Sequence, residues 1–245
     1  MNRLDKENRN RLSWWFPRLP GHILTPRTAI LPYSGQNLLG IFDGEVIGSD
    51  FNILCDDIIQ TGNLLGWPLF LRTDYLSGKH SWKDTCFVND AACVPQHVIK
   101  LVESSAVADM CGFPADCWAV RQLLKTEPVF FAFHGDMPIT KERRYFVEDG
   151  KVICHHPYWP CEAFNNSKVS KDNWVKCLNE MNYEDCSEVD LLTVLSEDIG
   201  KAIGGSWSID WLFSNGYWYM IDMAEANKSY HWSGCPFGRI NRWVS

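Results

Sequence analysis

The alternation of apolar and polar residues divides the chain into helices, strands and hairpins along most of its length. Residues 4–16 start polar and finish on Trp14, Trp15 and Phe16 ahead of Pro17, which suits a short helix docking by its C-terminal end. Thr28-Ala29-Ile30-Leu31, between Pro26 and Pro32, predicts a strand. From Ser49 to Leu65 the apolar residues Phe51, Ile53, Leu54, Ile58, Ile59 and Leu65 recur at helical spacing behind a Ser49 or Asp50 cap. Residues 68–72 form a strand ending in the cation Arg72, and a polar, glycine-containing stretch, 73–81, carries a second cation, Lys79. Residues 95–110 return to the helical period, and 117–124 and 128–133 predict two adjacent strands.

The second half is built on hairpins. Asp149-Gly150 lies between the alternating runs 142–148 and 151–154, a turn dipeptide between strands. Helices over about 170–182 and 185–203 lead to Ser206–Phe213 and Tyr217–Met223, two β-rich runs around Ser214-Asn215-Gly216. Each run carries one carboxylate, Asp210 and Asp222, where strand packing calls for a neutral residue. A two-residue loop pairs 210 with 221 and sends the carboxylates to opposite faces. A three-residue loop pairs 210 with 220 and 208 with 222, and puts them on one face as diagonal neighbours. The second arrangement is a metal site for Mg²⁺, because two carboxylates on one face repel unless a cation lies between them. In the alternative, one Asp is hydrogen-bonded towards the core and the other solvated.

Composition narrows the classes. With 245 residues, 46% hydrophobic, 22% charged and 12 Trp, the chain is globular and long enough for a sizeable core. A net charge of −7 without a long Lys/Arg run argues against nucleic acid as a partner, and no apolar run has the length of a membrane span. The ten cysteines include no Cys-x-x-Cys or zinc-finger spacing, and the N-terminus lacks the apolar core of a signal peptide, so a cytoplasmic protein with reduced thiols is expected.

Other stretches carry chemistry. Arg72 and Lys79, around a donor-rich loop containing Ser77 and Gly78, suit a phosphate clamp without P-loop spacing, or else an exposed hairpin with solvated charges. Phe130, Phe131, Ala132 and Phe133 offer backbone groups and ring faces to a flat heterocycle, or form a core strand. Arg144 shares a strand face with Phe146, so its head group snorkels or meets an anion. His155 and His156 are adjacent on a strand and face opposite ways, which disfavours joint ligation of one ion.

The order of these pieces resembles the ATP-grasp superfamily, over about residues 65–230. The matching stretches are Arg72 with Ser77-Gly78-Lys79, Phe130 to Phe133, Glu142-Arg143-Arg144-Tyr145-Phe146, and Asp210 with Asp222. The resemblance implies an α+β fold of two lobes clasping ATP, 65–135 and 136–245, preceded by a pre-ATP-grasp-like lobe, 1–64. It implies phosphate contacts from Arg72, Lys79 and Arg144, adenine contacts from 130–133, and Mg²⁺ on Asp210 and Asp222. The chain departs from the family in having Arg72 where Lys is usual, no acidic residue in the adenine-binding linker, and Ala224 where an Asn commonly ligates metal. Glu225 and Asn227 are the candidate replacements.

Short stand-alone members carried by bacteriophages and bacteria look most similar, which places a phage-encoded copy in the host cytoplasm. The implied reaction joins a small-molecule or peptide carboxylate to an amine, or a thiol, through an acylphosphate. The alternatives are an assembly-chaperone-like ATP-binding protein without catalysis and an ATP-dependent phosphotransferase. Oligomeric state is not legible in the sequence.

Overall fold

A computed structural model describes residues 9–33, 38, 49–109, 117–134 and 136–232. The expected helix thus lies partly outside the described residues at 4–8, as do Met110, Gly135, Cys111 and Cys235. The chain forms two compact units, one of residues 26–124 and 132–137, the other of 1–25, 125–131 and 138–245.

In the first unit, β1 (Thr28–Leu31), β2 (Leu69–Thr73), β3 (Phe87–Val88) and β4 (Trp118–Gln122) make an antiparallel sheet of order β1-β4-β2-β3. Helix α2 (Ser49–Leu65) buries Phe51, Leu54, Cys55, Ile58 and Gly62, the stripe its helical period predicts. Helix α3 (Val94–Asp109) adds Val98, Leu101 and Val102 to the same core, with Leu69, Leu71, Trp118 and Val120 from the strands.

Two expectations are corrected here. Residues 1–64 are not a separate lobe: 9–25 lie in the other unit, while β1 and α2 share one sheet and core with β2–β4. One four-residue strand and one amphipathic helix cannot bury their apolar faces alone, so they complete a larger layer. Nor are the two strands of 117–133 adjacent. Both edges of β4 are taken by β1 and β2, and β5 (Phe130–Ala132) pairs instead with β6 (Met137–Ile139).

In the second unit a short helix α1 (Leu12–Trp15) buries Leu12 and Trp15. Strands β7 (Glu142–Glu148), β8 (Lys151–Pro157), β9 (Ser206–Ser214) and β10 (Tyr217–Glu225) form an antiparallel sheet of order β10-β9-β7-β8. Between its two hairpins come α4 (Trp174–Met181) and α5 (Cys186–Ile203). Helix α5 starts at Asp185, whose carboxylate accepts the Glu188 N–H at 2.9 Å, a standard N-cap contact.

One face of this sheet is covered by α5. Trp207, Ile209 and Trp211 are fully buried there, and Trp211 Nε1 donates to Ser196 Oγ at 2.9 Å. Arg143, also fully buried on this face, donates to Glu188 and to the Met181 and Tyr183 carbonyls, while Glu188 also pairs with Lys141. The arginine thus ties β7 to both helices. Helix and hairpin touch closely at Gly200, where an added Cβ would fall 2.3 Å from Val147 Cγ1 and 3.0 Å from Gly150 Cα. Gly200→Ala is therefore expected to destabilise the protein by about 1–3 kcal/mol through overpacking, measured by denaturant unfolding.

Candidate functional site

The other face of the β7–β10 sheet carries the charged groups, and two irregularities place them. Both hairpins close with two-residue loops, Asp149-Gly150 and Asn215-Gly216, whose residues all have positive φ. The three-residue loop expected at 214–216 is absent. A two-residue loop alone would have put Asp222 on the face opposite Asp210, but Ile221 is an extra residue in β10, and Asp222 pairs directly with Asp210. In β8, Ile153 is likewise an extra residue, and His156 lies opposite Arg144. Each bulge shifts the returning strand by one residue and so exchanges its faces beyond that point.

The result is a row of four side chains across four strands: Asp222 on β10, Asp210 on β9, Arg144 on β7 and His156 on β8. Arg144 grips Asp210 through both carboxylate oxygens, Nε to Oδ1 at 2.7 Å and Nη2 to Oδ2 at 2.8 Å. Its Nη1 donates to the Tyr230 carbonyl at 3.2 Å, and its Cζ lies 4.6 Å from the centre of the Tyr158 ring. Burial alone would disfavour the Arg144 cation. The Asp210 carboxylate outweighs it, with help from Tyr158 and Asp222, and the pKa is raised. Asp210 is buried, whereas Asp222 is half-buried with Oδ1 accepting the Met223 N–H at 3.1 Å.

His156 closes the row. Its Nδ1 donates to the Pro157 carbonyl at 2.7 Å, which leaves Nε2 as a buried acceptor without a hydrogen-bond partner. Burial, with Arg144 and His231 adding to it, pulls its pKa down to about 4. His155 faces the other way, with Nδ1 3.1 Å from Glu184 and its ring stacked on Tyr145.

The two replacement metal ligands do not join the row. Glu225 is opposite Trp207, on the face away from Asp210, and it exchanges hydrogen bonds with Asn10: its N–H to Asn10 Oδ1 at 2.7 Å, and Asn10 Nδ2 to its Oε2 at 3.0 Å. Strand alternation explains this, since Glu225 is an odd number of residues beyond Asp222. Asn227 is exposed on the turn Ala226–Lys228. Among the described residues, no three His, Cys, Asp or Glu side chains are grouped to hold a metal ion. The donor set that remains, two adjacent carboxylates, suits a hard cation completed by phosphate oxygens, since Mg²⁺ seldom relies on an all-protein cage.

The 130–133 stretch is largely committed to packing. The ring of Phe130 meets Phe164 and Trp174, and the Phe131 N–H and carbonyl are both bonded to Ser170. Ala132 is buried, and Phe133 stacks on His80 with ring centres 4.5 Å apart.

In the other unit, Arg72 is buried at the end of β2 and its Nε donates to the Thr73 carbonyl at 3.1 Å. The loop beyond is braced rather than open. Thr85 Oγ1 lies 2.7 Å from the Gly78 carbonyl and 2.9 Å from that of Ser81, and Gly78 has a φ of 62° with its Cα side against Thr85. Ser77 is half-buried in this loop. Burial pushes the Cys86 thiol up to about 12, while Thr85, Lys79 and Arg72 act against that rise.

Sequence reasoning reached Arg144, Asp210 and Asp222 but missed His156, Tyr158, Cys154 and His231 as neighbours of Arg144. The signal for His156 was the Asp149-Gly150 turn, which gives the strand pairing only once the bulge is known.

The fold is α+β, built from helices and antiparallel sheets. Cdc123 from Schizosaccharomyces pombe is similar over 90% of this chain and 85% of its own, with a TM-score of 0.58 at 12% identity. D-alanine–D-alanine ligase from Bacillus anthracis, complexed with ATP, aligns over 90% of this chain with a TM-score of 0.46 at 14% identity. The aligned part is 57% of the ligase. No protein-family model matches the sequence, and no curated protein matches it. No helix among the described residues is long and apolar enough to cross a membrane.

Two outcomes follow from this geometry. Like charges directly opposite on neighbouring strands destabilise a sheet, so Asp222→Asn is expected to raise stability by roughly 0.2–1 kcal/mol in metal- and nucleotide-free buffer, read by thermal unfolding. For His156, the unfolded chain takes up a proton near pH 6.5 and the folded chain only near pH 4. Its contribution is therefore complete above pH 6.5 and is lost as pH falls towards 4, on the order of 3 kcal/mol at about 1.4 kcal/mol per unit. Unfolding of His156→Phe is expected to depend less steeply on pH than that of the wild type across this window.

Proposed function

We propose that the chain binds ATP at the Asp222–Asp210–Arg144 row and uses it to join a carboxylate to an amine or thiol. The observation that carries this reading is the register: two carboxylates and an arginine side by side on the face of the β7–β10 sheet away from α5. In this reading Asp210 and Asp222 hold Mg²⁺, which supplies charge neutralisation at the phosphates when bound. Arg144, kept cationic and oriented by Asp210 and the Tyr230 carbonyl, stabilises the transferred phosphoryl group. The γ-phosphoryl passes to the substrate carboxylate, and the acylphosphate so formed is attacked by the acceptor, with release of phosphate.

A second reading, an ATP-binding assembly factor without turnover, is favoured by a different observation. Ala224 lies where the resemblance expects a ligand, opposite Ser208, and Glu225 turns to Asn10 instead.

The two readings separate in one assay. Under the ligase reading, ADP and phosphate are released by the wild-type protein only when a carboxylic acid and an amine are both supplied, and Asp222→Ala loses this release. Under the second, Mg-ATP raises the unfolding temperature and no acid–amine pair stimulates ADP release.

A further inference from the structure

Next to Arg144, on the same face of the sheet, is a thiol–imidazole pair to which the proposed reaction assigns no role. Cys154 on β8 lies opposite Phe146, two residue pairs along from the Arg144–His156 pair and so the next pair on the same face. It is therefore a diagonal neighbour of Arg144, roughly 7–8 Å away at the backbone. Its Sγ is 2.9 Å from His231 Nε2. His231 Nδ1 faces the Trp232 carbonyl at 3.4 Å, and because a carbonyl only accepts, the proton belongs on Nδ1 and Nε2 is a base. The imidazole is stacked on Phe146 with ring centres 4.5 Å apart. A nucleophile, a base in hydrogen-bond reach and a third group orienting that base are the components of an activated thiol.

A second observation points to the same place. The Nε2 of His156 is buried and unpartnered, and the His156 ring meets His231 edge-on at 5.2 Å. The two imidazoles thus adjoin each other, and one keeps a buried nitrogen without a hydrogen-bond partner. Burial, with Arg144 acting the same way, keeps both imidazoles neutral, so the Nε2 lone pair of His231 is free to face the sulfur.

Cys154 and His231 are each 5% exposed, and the segment that covers them also covers Arg144. Ser229 Oγ bonds Ser208 Oγ, the Tyr230 carbonyl accepts from Arg144, and Trp232 stacks on His156. Any displacement of 229–232 that admits a ligand to Arg144 thus opens a way to the thiol.

We infer that Cys154 is an acyl acceptor, with His231 as its general base, and that the acyl group made at the Arg144 row passes through a thioester on the protein. This rests on the ligase reading above. The Cys154 sulfur attacks the acyl carbon of the acylphosphate, its proton goes to His231 Nε2, and the carbon–oxygen bond breaks with its electron pair leaving on phosphate. His231 passes that proton to the departing phosphate and is again a base; an amine then attacks the thioester, the carbon–sulfur bond breaks with its electron pair on sulfur, and the proton lost by the amine nitrogen goes through His231 Nε2 to sulfur.

The test uses full-length protein and acetyl phosphate as the acyl donor, followed by peptide mapping with and without hydroxylamine. The expected result is a hydroxylamine-labile acetyl group on Cys154, formed more than about tenfold faster than on the exposed Cys161 and Cys186 and slowed about a hundredfold in His231→Gln. Because that variant could misfold, the site of labelling in the wild-type protein decides by itself. Acetylation confined to Cys161, Cys186 or lysines, or no acetylation, overturns the inference. Mg-ATP stabilisation of the wild type is measured in parallel: its absence counts against the nucleotide reading, while the acetyl phosphate arm still reports on the thiol.

Discussion

The two-pronged contact between Arg144 and Asp210 is what makes the site face of the β7–β10 sheet tenable. Asp210 and Asp222 are directly opposed, and two carboxylates so close would repel without a cation. Arg144 provides one from the neighbouring strand, in the planar bidentate geometry that suits a carboxylate. Its remaining contacts, the Tyr230 carbonyl and the Tyr158 ring, orient the same guanidinium. One carboxylate of the pair is therefore shared with an arginine, and the other is half-exposed.

Adjacent arginines on β7 divide two tasks between the sheet's faces. Arg143 points into the α5 side, where it donates to Glu188 and three carbonyls, and removing either partner of such a buried pair leaves an uncompensated charge. Arg144 points to the opposite face, where its partners belong to the row and to the covering segment 229–232. The apolar and ionic packing of the first face holds the strands in register, and that register sets the spacing of the second. The site inherits its geometry from a core it does not touch.

Most elements were legible because their signals are local. The helical stripe of 49–65, the Asp149-Gly150 turn and the alternation of 142–148 each require only neighbouring residues to be read. The partners of 130–132 were not legible, since strand neighbours are settled by which edges are already occupied. Nor was the fate of residues 9–64, divided between two cores that the sequence order does not reveal. Glu225 illustrates a third kind of failure: proximity in sequence suggested a ligand, and alternation turned it towards Asn10.

The sequence by itself determined that two carboxylate-bearing strands meet in a hairpin and that an arginine strand precedes them. Only the tertiary structure decided that Asp210, Asp222, Arg144 and His156 share one row. The reason lies in the bulges at Ile221 and Ile153. Tyr217 to Ile221 is apolar on both faces, so its pattern accommodates either register, and pairing of β9 with both β7 and β10, packed against α5, selects the one with an extra residue.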